Sequence, residues 1–395
     1  MRPQRSIVIL APDAVEEECC KAVFRLGGRV VKRLPLIRAL VVEGLDRERC
    51  SLLGRHHGVK GIEDDIPVRA IGPAVVARPW RPLSVEQCCG VVPWGVRRVG
   101  APQVWRFTRG EGVTVAILDT GISIDHPDLA PRLRGVYNAV GGSDDDHNGH
   151  GTHVAGIVAG GGIPGGVYGV APKASLLAVK VLGDDGSGRL SDIIDGLDWC
   201  VKQGAPVANL SLGTPVPHPL LKKAVDQAKA AGVLVVAAAG NSGPRPQTLE
   251  YPAAYESALA VGACDRSGGV ASFSSRGEGL DVVAPGKDIY STWLRGGYRR
   301  LDGTSMAAPH VAGVAALLLA AARFCGGRAD VWLRQALLQG AEPLRGLLPE
   351  DQGKGVISAP RALTRALATI CSRSRDTDRR SRRSGGELSR GNCFG

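Results

Sequence analysis

VTVAIL (113–118), followed at once by Asp119-Thr120-Gly121, sets the pattern that the rest of the chain repeats. A short run rich in β-branched residues, closed by an acid and a Thr-Gly turn, reads as a buried strand ending at a polar edge. Four more apolar runs follow: ASLLAVKVL (174–182), APVANLSL (205–212), GVLVVAAAG (232–240) and SALAVGA (257–263). Between them lie stretches with helical spacing, HVAGIVAG, LSDIIDGLDWCVKQG and PLLKKAVDQAKAAG. This alternation predicts an α/β fold: a doubly wound, mostly parallel sheet with helices on both faces. Reactive groups in such sheets gather beyond the carboxyl ends of the strands.

Upstream the pattern changes. SIVILAP, GRVVKRL and RALVVEG read as strands, and GVKGIEDDIPVRA as a closing strand. Asp13–Leu26 reads as a helix with an acidic first turn and a Gly27-Gly28 stop, and Asp46–Leu53 as a second helix. The order βαββαβ is that of a small ferredoxin-like α+β unit over residues 1–71. Residues 72–92, rich in Pro and Val, read as a linker; 93–370 hold the α/β domain. Residues 371–395 form a basic, low-complexity tail that we expect to be disordered.

Composition narrows the function. With 44% hydrophobic and 22% charged residues in 395, the chain can pack cores, which excludes collagen-like and wholly disordered classes. Aromatics are only 4%, so Ala, Val and Leu must fill those cores. Net charge is 49 − 38 = +11, and seven Arg between 373 and 390 supply much of the excess. That tail lacks interleaved aromatics, so no nucleic-acid partner is expected. The ten Cys include two vicinal pairs, Cys19-Cys20 and Cys88-Cys89, without zinc spacing. The apolar run Val311–Ala322 falls short of the ~20 residues of a membrane span, so it reads as a buried helix. Ile7–Leu10 is shorter than the ~7–15-residue core of a signal peptide, which leaves cytoplasm and exterior both open.

Four residues carry candidate chemistry. Asp119 ends a strand and points into the crevice, or caps the next turn. His150 stands between two glycines in DDDHNGHGTHVAGIVAG, with His153 three residues on. The HGTH spacing admits metal ligands, but the Glu of H-E-x-x-H is missing. Ser305, in GTSMAAPHVAG, opens a long apolar helix whose N–H groups can meet an oxyanion; otherwise it is an N-cap. Asn241, past the end of a strand in VVAAAGNSGP, is a turn residue or an oxyanion donor.

In combination the four are specific. Asp, His and Ser occur in that order, at intervals of 31 (150 − 119) and 155 (305 − 150) residues. LDTGI, NGHGTHVAG, AAAGN and GTSMAAPHVAG resemble the signatures of the subtilisin-like serine proteases from about Pro93 to Leu367. Residues 5–71 resemble that family's inhibitory prodomain. The resemblance implies a serine endopeptidase, made as a self-processing zymogen and monomeric. Ser305 would be its nucleophile, His150 the base, Asp119 the orienting acid and Asn241 an oxyanion donor.

The resemblance also implies how substrate is held. A protein or peptide chain would add as a strand between Ser211-Leu212-Gly213 and Gly186-Ser187-Gly188, with Leu190 and Ile193 lining an apolar upstream subsite. Glu250 stands at the primary specificity pocket, where a carboxylate favours Arg or Lys before the cut; the alternative is a Glu turned to solvent. Calcium (Ca2+) is implied at Asp128 with the carbonyls of Gly161, Gly165 and Val167. Ile163 stands where relatives often place an Asn ligand and Gly90 where a Gln would reach; the acids at 144–146 offer an alternative hard-cation site. The prodomain, an intramolecular inhibitor, would send its last strand into the cleft and be cut between about Ile71 and Gly90.

Overall fold

A computed structural model describes residues 5–72, 90–323 and 332–370. The basic tail and most of the linker lie outside the described residues. The large unit is built on seven strands in the order Val282–Pro285, Leu259–Cys264, Leu234–Ala238, Val207–Leu210, Thr114–Asp119, Ser175–Lys180, Leu133–Asn138. Every neighbouring pair runs parallel, so the sheet is wholly rather than mostly parallel. The two edge strands were not expected: LRGVYN alternates weakly, and VVAP is too short to signal itself.

Chain order reverses at the central strand Thr114–Asp119, which lies between strands entered from opposite directions. That is the switch point where a crevice opens beyond the strand ends. Helices Leu190–Lys202 and Pro219–Ala230 cover one face. His150–Ala159 and Thr304–Arg323 cover the other. The helix Thr304–Arg323 is long and apolar enough to cross a membrane by composition, but it is a core helix, 94% buried in its most apolar window. Its Ala and Val side chains let it lie close to its neighbours. A Cβ at Gly313 would come within 2.6 Å of Val170. Small residues here replace the bulk that the few aromatics cannot supply.

The N-terminal unit has the expected ferredoxin-like order. Its antiparallel sheet runs Arg29–Leu34, Ala39–Glu43, Arg5–Leu10, Val59–Asp64, with helices Glu16–Arg25 and Arg47–Leu53. The segment read as one closing strand is two. Val59–Asp64 stays in this sheet, and Pro67–Ala70 leaves it to pair antiparallel with Ser187–Arg189 on one side and Leu212–Gly213 on the other. Pro67 has no N–H to donate, which favours the break in pairing.

Between the two strands sits Asp65, 5% exposed. It accepts from the Ser191 N–H at 2.9 Å and the Ser191 hydroxyl at 2.7 Å. The carboxylate thus caps helix Leu190–Lys202 across the two units. Lys32 adds ion pairs with Asp192 at 2.7 Å and Asp195 at 3.1 Å. In a chain carrying Ser305→Ala to prevent self-digestion, Asp65→Ala should cost about 1 kcal/mol in urea unfolding. An unchanged midpoint would show that the cap contributes nothing.

Candidate active site

Asp119 ends the central strand with no exposed surface. Its Oδ1 accepts from the Thr120 N–H at 2.8 Å and bonds His150 Nδ1 at 2.7 Å. A carboxylate at that distance fixes the tautomer: Nδ1 carries the proton and Nε2 is left as the basic nitrogen. Asp119 Oδ2 has no hydrogen-bond partner among the described residues.

His150 opens the helix His150–Ala159. Glycines on both sides let this helix start come close. Gly149 has φ +96°, and a Cβ there would lie 2.6 Å from the Trp293 ring. A Cβ on Gly151 would strike the Gly121 carbonyl and reach Asp119 Cβ at 3.0 Å. Burial works against a charge on the His150 ring. The charge and hydrogen bond of Asp119, with smaller help from Asp146 and the Ile71 backbone, nevertheless hold it above the ordinary histidine value.

Ser305 is the second residue of Thr304–Arg323 and is fully buried. Its hydroxyl donates to the Ile71 carbonyl at 2.7 Å and lies 3.1 Å from the Ser211 carbonyl. His150 Nε2 has no hydrogen-bond partner among the described residues. Serine and imidazole are therefore not bonded to each other; both face the carbonyl of Ile71. Asn241 Nδ2 donates to the next carbonyl, that of Gly72, at 2.7 Å. Its Oδ1 accepts from the Thr304 N–H and hydroxyl, each at 3.0 Å, which sets the amide's orientation.

The expected strand-binding rims are brought together. Arg69 pairs with Gly213 and Ala70 with Leu212, while Val68 pairs with Gly188 and Arg69 with Ser187. The Ile71 N–H donates to the Ser211 carbonyl at 3.2 Å and the Ala70 N–H to the Gly186 carbonyl at 2.9 Å. Leu190 and Ile193 are fully buried in one apolar cluster with Val68. Glu250 is half-buried rather than turned to solvent. It lines a cavity with Gly213, Asn241 and Ile71, and its carboxyl group fills space that a Cβ on Gly213 or Gly240 would take. Burial raises its pKa, opposed by bonds from the Asn241 N–H and the Ser242 hydroxyl.

Subtilisins generally bind calcium, but the residues singled out here do not fit it. Asp128 accepts from the Ile163 N–H at 2.9 Å, the Val167 N–H at 2.8 Å and the Tyr298 hydroxyl at 3.0 Å. The Val167 carbonyl accepts from the Gly162 N–H at 3.0 Å. Ile163 brings no side-chain oxygen and Gly90 no side chain. A hard cation needs converging oxygens, and this loop converges hydrogen-bond donors on its one carboxylate. Asp146 is wrapped in the same way, and among the described residues no group of three His, Cys, Asp or Glu could hold a metal. His153 is no ligand either. Its Nε2 lies 3.1 Å from the Ile289 carbonyl and 3.0 Å from that of Arg299, and burial pushes its pKa down to about 3.

The sequence reading missed the supports of this site: Thr304 behind Asn241, and Thr120, Asp146 and Thr152 around His150. The Asp144–Asp146 run is the visible signal; it suggests an alternative hard-cation site, whereas Asp146 accepts from N–H and hydroxyl donors.

A carboxylate, an imidazole and a hydroxyl gathered at the strand ends of a parallel sheet define a serine hydrolase. Residues 110–361 match the Subtilase family, and the chain belongs to that family: it is a subtilisin-like serine endopeptidase. It is similar to Subtilisin BL of Lederbergia lenta, 55% identical over 230 residues, covering 58% of this chain and 84% of that one. M-protease of Shouchella clausii is also 55% identical over 230 residues, with 59% of its length covered. An intracellular serine protease of Paenibacillus polymyxa is 42% identical over 290 residues, covering 71% of this chain and 89% of its own.

Because Asp128 is held by protein donors, a chelator should leave the thermal unfolding midpoint of the Ser305→Ala chain unchanged. A clear drop, reversed by added calcium, would contradict this reading.

Proposed function

We propose that Asp119, His150 and Ser305 form the catalytic triad, that Asn241 and the Ser305 N–H hold the oxyanion, and that residues 1–71 are the inhibitory prodomain. The chain would then divide into this prodomain, a processing region at 72–92, a catalytic domain at 93–370 and the tail at 371–395. The observation that carries this is a peptide carbonyl, that of Ile71, 2.7 Å from the Ser305 hydroxyl, on a strand paired to both rims.

In turnover, Ser305 Oγ attacks the carbonyl carbon of a bound peptide and its proton passes to His150 Nε2. Asp119 keeps the proton on Nδ1 and stabilises the imidazolium that forms. The oxygen, now negative, sits between the Asn241 amide and the Ser305 N–H. In a subtilisin, which is this family's own example, losing the side-chain donor costs about 3–4 kcal/mol of barrier. His150 then gives its proton to the leaving amine, the C–N bond breaks, and water hydrolyses the acyl-enzyme by the same relay.

The N-terminal strand occupies the cleft without meeting these conditions. Ser305 and Asn241 contact successive carbonyls, those of Ile71 and Gly72, whereas attack needs both on one. The strand is thus held as a plug, consistent with a zymogen. At the end of this region the Val91 N–H donates to the Gly166 carbonyl at 2.8 Å, so the chain is anchored again from near Gly90. Processing would fall after Ile71 and not beyond Gly90.

Purified wild-type chain should convert to a shorter species whose new N-terminus lies between 72 and 90, read by intact mass and N-terminal sequencing. Ser305→Ala should stay whole and digest no casein. Cleavage inside residues 5–70, or processing that survives Ser305→Ala, would end the zymogen reading. Glu250 supplies a second test. The wild type should prefer Arg over Phe peptides before the cut, and Glu250→Ala should lower kcat/KM for Arg about tenfold or more. A wild-type preference for Phe would remove the assigned specificity.

A further inference from the structure

Asp146 is 2% exposed and lies between the two elements that carry Asp119 and His150. Its Oδ1 accepts from the Thr120 hydroxyl at 2.9 Å, the Asn148 N–H at 3.0 Å and the Gly149 N–H at 2.9 Å. Its Oδ2 accepts from the Thr152 N–H at 3.0 Å and the Thr152 hydroxyl at 2.6 Å. Thr120 directly follows Asp119, and Gly149 and Thr152 bracket His150. The two hydroxyls close the brace. Thr120 Oγ1 accepts from the Gly151 N–H at 3.0 Å, so the strand end holds the helix. Thr152 Oγ1 accepts from the Ser123 N–H at 2.9 Å, so the helix holds the loop after the strand.

We infer that Asp146 is a positioning residue for the catalytic relay: one buried carboxylate fixes the separation and angle of Asp119 and His150. The inference rests on the triad reading proposed above. Its chemical logic is donor count. Five donors converge on one side chain, and only a carboxylate accepts all of them. An amide would turn its own NH2 toward the donors on one side and leave them buried and unpaired. The relay depends on a hydrogen bond of 2.7 Å between groups on different elements, so a loosened brace lets that bond lengthen. Proton transfer is sensitive to such displacement, and an error of ~1 Å can cost about a hundredfold in rate.

Other charged and titratable groups face this knot. Asp119 bonds the His150 ring directly. From the neighbouring strand, Lys180 Nζ donates to the Thr120 carbonyl at 2.8 Å and pairs with Asp184 at 2.9 Å. His153 feels the charge of His150, and His310 lies near His153 in turn; burial pushes their pKa values down to about 3 and about 4. Both are therefore neutral when His150 titrates. Removing the charge of Asp146 takes away one of the groups favouring protonated His150, so the His150 midpoint must move down.

The test is Asp146→Asn in the full chain, read in two ways. In the Ser305→Ala background, which remains a single uncut species, the low-field proton NMR signal of His150 Nδ1–H is titrated; its midpoint should fall to lower pH. With Ser305 intact, hydrolysis of a small peptide amide should lose on the order of tenfold to a hundredfold in kcat, with KM within about twofold. The acid limb of the rate profile should move in the same direction as the NMR midpoint. Should Asp146→Asn fail to fold or process, Thr120→Val and Thr120→Ser replace it: valine should lose kcat, and serine, which keeps the hydroxyl, should restore it. A folded Asp146→Asn enzyme with unchanged kcat and an unmoved midpoint would overturn the proposal, as would equal losses from valine and serine. If wild-type hydrolysis survives Ser305→Ala, the triad reading has failed instead, so the two failures are separable.

Discussion

A carboxylate with no exposed surface, 2.7 Å from an imidazole, is the contact on which the active site depends. Taking both groups out of water is costly, and their attraction repays it only when the geometry is good. Here the carboxylate has one oxygen committed to a backbone N–H and the ring, and the other without a partner among the described residues. An under-satisfied anion beside a neutral imidazole gains when that ring takes a proton. The protein's cost of burial thereby becomes a bias toward imidazolium, the species that the general-base role proposed for His150 requires.

The fold explains why the contact can be so short. A parallel strand buried on both faces ends abruptly at its polar edge, and the reversal of strand order there leaves room for a helix start. Glycines at 149, 151 and 121 strip that junction of side chains, so backbone can approach backbone. The opposite wall is the start of another helix, Thr304–Arg323, whose Thr304 turns the Asn241 amide. Chain segments far apart in sequence are thus held by polar side chains that accept from backbone N–H groups: Asp146, Thr120 and Thr152 between the strand end and the first helix, and Asn241 at the second.

Much of this was legible in the linear sequence. Five strands, the helices between them and the N-terminal βαββαβ unit follow from periodicity and turn signals, and short motifs mark out Asp119, His150 and Ser305. What periodicity could not show was a strand too short to have a period, such as Val282–Pro285, or the break at Asp65 that sends half of a predicted strand into another sheet. The acids at 144–146 and Asp128 illustrate a second limit. A carboxylate in a loop looks alike whether it will meet a cation or a ring of N–H groups, because the distinction lies in which way distant backbone points. Glu250 was ambiguous for the same reason, until two glycines, 213 and 240, proved to leave it space.

The cleft completes itself only with a third strand between Leu212–Gly213 and Ser187–Arg189. Any polypeptide that takes this place must offer main-chain hydrogen bonds along both edges for several residues, as Pro67–Ala70 does. Segments already committed to a helix or an interior sheet of their own cannot do so. On the reading proposed above, conformation therefore screens a polypeptide before the Glu250 pocket does: only a segment with free main-chain edges can enter between the two rims.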